Sequence, residues 1–79
     1  MSPVRKHSVA IRGHRTSFSL EQPFMDDLRA IAAARGIALA ALIAEVDGER
    51  PRDANLSSAL RIFVLTQAKR NFAKAAART

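Results

Sequence analysis

The chain has no cysteine. Disulfides and thiolate metal sites are therefore excluded. Its two histidines, with the acids placed where they are, do not make a structural zinc site, and no cofactor is expected. No apolar run approaches the roughly 18 residues of a membrane span. The basic residues Arg5 and Lys6 are not followed by an apolar stretch, so no secretory leader is expected. A cytoplasmic protein with no membrane partner is the default. Acids are missing from both ends: the first is Glu21 and the last Asp53. Repeats and low-complexity tracts are absent too, apart from an alanine-rich tendency that favours helix.

Seventy-nine residues at 48% hydrophobic composition allow one small domain. A chain of this size buries only about 60% of its unfolded surface, so a monomer is marginal. With disulfide and metal excluded, a partner chain is the remaining source of stability. The formal charge of +6 is unevenly spread. Residues 1–20 carry +4, residues 21–53 carry −3 and residues 54–79 carry +5. Basic ends around an acidic centre suit contact with an anionic polymer or surface; the bland alternative is a solvated surface.

Residues 1–7 read as a flexible basic arm. From Ser8 to Leu20 the residues alternate as in a strand, in two phases. Val9 and Ile11 share one parity, and Thr16, Phe18 and Leu20 share the other. Gly13 lies between them, which leaves a bent strand or a small hairpin about Arg12–His14. Three helices follow. The first begins near Pro23, carries the stripe Phe24, Leu28, Ile31 and Ala32, and ends at Gly36. The second carries Leu39, Leu42, Ile43 and Val46 and ends at Gly48. The third is capped by Asn55 and carries Leu56, Leu60, Phe63 and Val64, with Phe72 a further candidate. The apolar run Ile62–Leu65 predicts a turn buried on several sides. The domain is placed at residues 8–76, with 77–79 a frayed tail.

No second long strand is evident, and a lone strand leaves its backbone groups unsatisfied. Pairing with the same strand of a second copy about a two-fold axis resolves this. With Thr16, Phe18 and Leu20 inward, Arg15, Ser17 and Ser19 point outward, side chains suited to base edges in a major groove that admits a two-stranded ribbon. His7 and His14 lack any acid nearby and read as exposed or phosphate-facing. The adjacent Asp26 and Asp27 diverge on a helix and form no carboxylate pair. Ser57 and Ser58 have no base beside them, so no enzyme is expected.

The segment R-T-S-F-S-L-E-Q-P-F-M-D-D-L-R-A-I-A-A-A-R-G-I-A-L-A-A-L-I-A-E-V, residues 15–46, resembles the ribbon-helix-helix DNA-binding proteins. The continuation N-L-S-S-A-L-R-I-F-V-L, residues 55–65, resembles a bacterial subfamily with an added helix. The resemblance implies a mainly α fold with one short β-strand. It implies an intertwined homodimer whose intermolecular antiparallel two-stranded ribbon enters the major groove of double-stranded DNA. It places base contacts on Arg15, Ser17 and Ser19, and the dimer core on Phe18, Leu20, Leu28, Ile31, Leu42, Ile43, Leu60 and Phe63. Phosphates would be met by Arg5, Lys6 and Arg12, and by backbone amides of Ile37, Ala38 and Leu39 at the second helix's start. A Ser or Thr commonly caps that helix; Gly36-Ile37-Ala38-Leu39 lacks one, leaving the contact to backbone alone. The implied function is a sequence-specific transcriptional regulator, a repressor, with possible higher-order assembly on DNA. The alternative is an antitoxin-type module that binds a toxin and its own operator.

Overall fold

The computed structural model describes residues 3–77. Two antiparallel strands, β1 (Val4–Ile11) and β2 (His14–Glu21), are followed by helices α1 (Gln22–Arg35), α2 (Leu39–Glu49) and α3 (Leu56–Ala77). The chain thus contains a second long strand, where the sequence showed none, and it pairs with β2 within one chain. Residues 4–7, expected as a mobile arm, are the first half of β1. Arg12 and Gly13 both have positive φ (52° and 81°) and join the strands as a two-residue loop. Such a loop matches the right-handed twist of the flanking strands, which settles bent strand against hairpin. Pairing runs from Val4 opposite Glu21 to Ile11 opposite His14.

The two parities of the sequence become one face. Ile11 and Val9 from β1 lie on the same side as Thr16, Phe18 and Leu20 from β2, over the helices. Helix α1 ends as expected: Gly36 adopts φ 68°, its amide bonds Ala33 O at 3.1 Å, and Ile37 N–H bonds Ala32 O at 3.0 Å. Helix α2 runs past Gly48 to Glu49. It stops because Pro51 disfavours helical backbone at Arg50, which is extended at φ −71°, ψ 146°. Arg50 is held there by Asp47 at 2.7 Å and by the carbonyl of Ala54. Asn55 caps α3, its Oδ1 accepting from Ser58 N–H at 2.7 Å.

The core joins Ile11, Phe18, Leu20, Met25, Leu28, Ala32, Leu42, Ile43, Val46, Leu56, Leu60 and Val64. Of the residues expected at a dimer core, Phe18, Leu20, Leu28, Leu42, Ile43 and Leu60 are buried inside a single chain. Ile31 and Phe63 are half-buried. On α1 the buried face includes Met25, with Phe24 only partly covered. The run Ile62–Leu65 is not enclosed: Ile62 is 64% and Leu65 53% exposed, and Phe72 is 77% exposed. Only one side of α3 meets the body, and beyond Gln67 all its described residues are exposed.

Candidate nucleic-acid interface

The hairpin's outer face is set by the register. Cross-strand partners share a face, so Lys6 stands opposite Ser19, Ser8 opposite Ser17, and Ala10 opposite Arg15. All six are exposed. The hydroxyls of Ser8 and Ser17 lie 3.5 Å apart at the centre. Lys6 and Arg15 occupy diagonal corners, four residue steps apart, about 13 Å along the strands. Arg15, Ser17 and Ser19, singled out from alternation alone, are brought together here. Ser8 was missed. Its parity is readable from Val9 and Ile11, but only once β1 is paired with β2.

Among the described residues, the one carboxylate of that parity on the ribbon is Glu21. Its Oε1 accepts from Arg61 Nε at 2.9 Å. That hydrogen bond, with help from the Glu21 backbone amide, holds the carboxyl below its ordinary value. The negative charge is thus compensated within the chain, and the face itself stays cationic.

Other candidates fall elsewhere. Arg5 is exposed but has the inner parity, opposite Leu20 at the hairpin's open end. Arg12 is exposed in the turn and leans over α2, where its Nη2 would lie 3.6 Å from a Cβ added at Gly48. The partial negative charge of the last turn of α2 favours a cation at that place. Ile37 N–H is consumed by the α1 cap. Ala38 flanks α2 in extended backbone with no side-chain cap. The first intrahelical bond is Leu42 N–H to Ala38 O, leaving the amides of residues 39–41 as the helix's orphan donors. Of the three phosphate-contact residues expected there, Leu39 keeps an amide with no partner inside the helix. His7, expected to be exposed, turns inward and stacks on Phe18 with centroids 5.5 Å apart. Its Nε2 is buried without a hydrogen-bond partner. His14 is exposed at the turn.

Ser57, to which the sequence assigns no more than a place in the first turn of a helix, ties α3 to the ribbon: its Oγ accepts from Ser19 N–H at 3.1 Å. Among the described residues no three His, Cys, Asp or Glu side chains gather as a metal would require. No described helix is long and apolar enough to cross a membrane.

The family described as ribbon-helix-helix domain matches residues 4–68, most of the chain, and the chain belongs to that family. No curated relative and no solved structure matches it. Ribbon-helix-helix proteins generally bind DNA as transcription regulators and form dimers.

Proposed function

We propose that the chain is a sequence-specific DNA-binding homodimer, a cytoplasmic transcriptional regulator acting as a repressor, whose β-ribbon reads the major groove. The observation that carries this is the exposed outer face of the hairpin. It combines two cations with three serines, and its carboxylate is neutralised by Arg61. Arg15 is the leading base reader, since a guanidinium bonds guanine in bidentate fashion; Ser17 and Ser19 donate to or accept from either base of a pair. Lys6, Arg5 and Arg12 contact phosphates, as do the amides at the start of α2. The activity is binding, not catalysis.

The test is selection from a random duplex library at physiological salt. The expected result is an enriched symmetric site. In that site Arg15→Ala relaxes one base position per half and costs about 1–3 kcal/mol per contacted base. Lys6→Gln weakens selected and random duplexes alike and lowers the salt slope by about one. Equal loss from Arg15→Ala on specific and random duplexes would remove its reading role.

A second reading is favoured by the exposed stripe Ile62, Leu65 and Phe72 on α3. An antitoxin-type module would use such a helix to hold a protein partner while the ribbon binds the operator. Co-purification of a stoichiometric partner that is lost on Phe72→Ser would support it. Retention of that partner by the variant would exclude the stripe.

A further inference from the structure

Helix α3 has two apolar faces. Leu56, Leu60 and Val64 enter the core. Ile62, Leu65 and Phe72 lie nearly opposite and are exposed. From Ser58 the outer residues follow at intervals of four, three, four and three: Ser58, Ile62, Leu65, Lys69 and Phe72. This is the spacing of a heptad seam, with Ile62 and Lys69 at one core position and Leu65 and Phe72 at the other. A seam of that kind is shaped to hold a second helix. It also runs into a hollow. Val46, Pro51, Ala54, Ala59, Ile62 and Phe63 are among the residues lining an open, mostly apolar depression of about 300 Å³ at its head. A large apolar side chain of an added helix can anchor there, as in helix-in-groove complexes.

Charge says which helix. The 22 residues of α3 include no acid. Arg61 is paired with Glu21 on the ribbon, but no carboxylate of its own helix can pair with Lys69. A lysine at a heptad core position packs its aliphatic stem in the seam and calls for a carboxylate on the partner. A second α3 does not supply one. In parallel register Lys69 meets Lys69, and in either direction the added helix is itself acid-free. A lipid surface suits the seam less well. An interfacial helix keeps its cations on the polar face, whereas Lys69 stands between Leu65 and Phe72 on the apolar one.

The geometry points to the outer face of α3 as a docking site for an amphipathic helix of another protein. That helix is apolar at its heptad core positions, acidic along its flanks, and places a large apolar side chain in the hollow beside Pro51. The inference rests on the partner-holding reading of α3 given above and is independent of what the ribbon binds.

The probe is a helical peptide of three heptads with Leu at the core positions, Glu at the flanking ones and one Trp. A twin carries Lys in place of Glu. The chain has no Trp or Tyr, so peptide fluorescence reports binding directly. At physiological salt the acidic peptide is expected to bind the full-length protein at least about tenfold more tightly than its twin. Leu65→Ser and Phe72→Ser, both at exposed positions, should each weaken it at least about tenfold. Lys69→Glu should remove the preference for the acidic peptide. Lys74→Glu, the same charge change about 140° round the helix, should keep it. Circular dichroism melts verify that each variant is folded. Equal binding of the two peptides, lost in both cases on Phe72→Ser, overturns the acidic partner and leaves α3 as a holder of helices. Binding of neither peptide, or binding untouched by Leu65→Ser and Phe72→Ser, overturns both. Sedimentation equilibrium in which Phe72→Ser dissociates the parent's assembly would assign the seam to a second copy and overturn the proposal. So would pelleting with phosphatidylserine vesicles that Phe72→Ser abolishes.

Discussion

Arg12 shows a conflict between backbone and charge at a single residue. At φ 52° it occupies a conformation that Asn and Gly adopt readily and other residues at a cost of about 1–2 kcal/mol. Its neighbour Gly13, at φ 81°, meets no such penalty. Against that cost stands the cation's attraction to the last turn of α2, about 0.3–1 kcal/mol. The backbone cost is the greater, so Arg12→Asn, which creates the favoured Asn-Gly loop, should stabilise the protein by about 0.5–1 kcal/mol. Thermal melts measure this. DNA affinity should fall on all duplexes alike, because a phosphate contact carries no sequence information. A destabilised Arg12→Asn protein would sink the strain account and show that the attraction to α2 outweighs the strained backbone. His7 poses a different residue-scale problem. Its buried, unpartnered Nε2 offers no compensation for desolvation, and such a group costs about 1–3 kcal/mol. Replacement by Leu keeps the packing against Phe18 and removes the orphan nitrogen; the melt of His7→Leu should move up. A lower melting temperature would mean that the stacking outweighs the orphan.

Between elements, the joint of α3 with β2 adds to the shared apolar core two polar contacts, Ser57 to Ser19 and Arg61 to Glu21. The second is pH-dependent, and its sign follows from the lowered Glu21 value. A group depressed in the folded state contributes fully above its unfolded value, and the contribution disappears as pH falls through the folded one. Glu21→Gln should therefore differ from the parent at neutral pH and converge with it in acid, below the carboxylate range. Paired denaturation curves at the two pH values check this. The effect is small because both partners are partly exposed to solvent. Much at this scale was legible. Three helices, the αL glycine at 36 and the Asn55 cap each have a local chemical signature, and they fall where the sequence puts them. The strand pairing was not legible in full. Val9 and Ile11 mark the inner parity of β1, but His7 and Arg5 continue it with polar residues, so the alternation fades and the strand reads as an arm. Within the candidate site, Arg15, Ser17 and Ser19 were readable because one strand's alternation sets their side. Ser8 and Ser57 were not, since their roles depend on partners 9 and 38 positions away.

The whole molecule is less compact than its mass requires. Its accessible surface is 5724 Å², against about 4,700 Å² for a compact monomer of this size. Its radius of gyration is 13.3 Å, against about 11.6 Å. The exposed end of α3 contributes to the surplus. Twenty-two residues make a helix about 33 Å long, yet its last buried residue is Val64 and its last half-covered one is Gln67. A surplus of about 1,000 Å² is close to the roughly 800 Å² that each partner contributes to a standard interface. The outer half of α3 thus adds surface and charge, and none of its described residues beyond Gln67 is buried. An isolated helix of ten residues is itself marginal in water. A chain ending at Gln67 should therefore keep cooperative unfolding, with a melting temperature at low protein concentration within about 5 °C of the parent's, since less than about 1 kcal/mol is removed. It should also select the same duplex motif, because the ribbon and its supporting core are intact. If instead the shortened chain loses cooperative unfolding, and the parent's melting temperature rises with concentration, the exposed stripe Ile62, Leu65 and Phe72 is covered by a second copy in solution. α3 would then contribute to the homodimer interface.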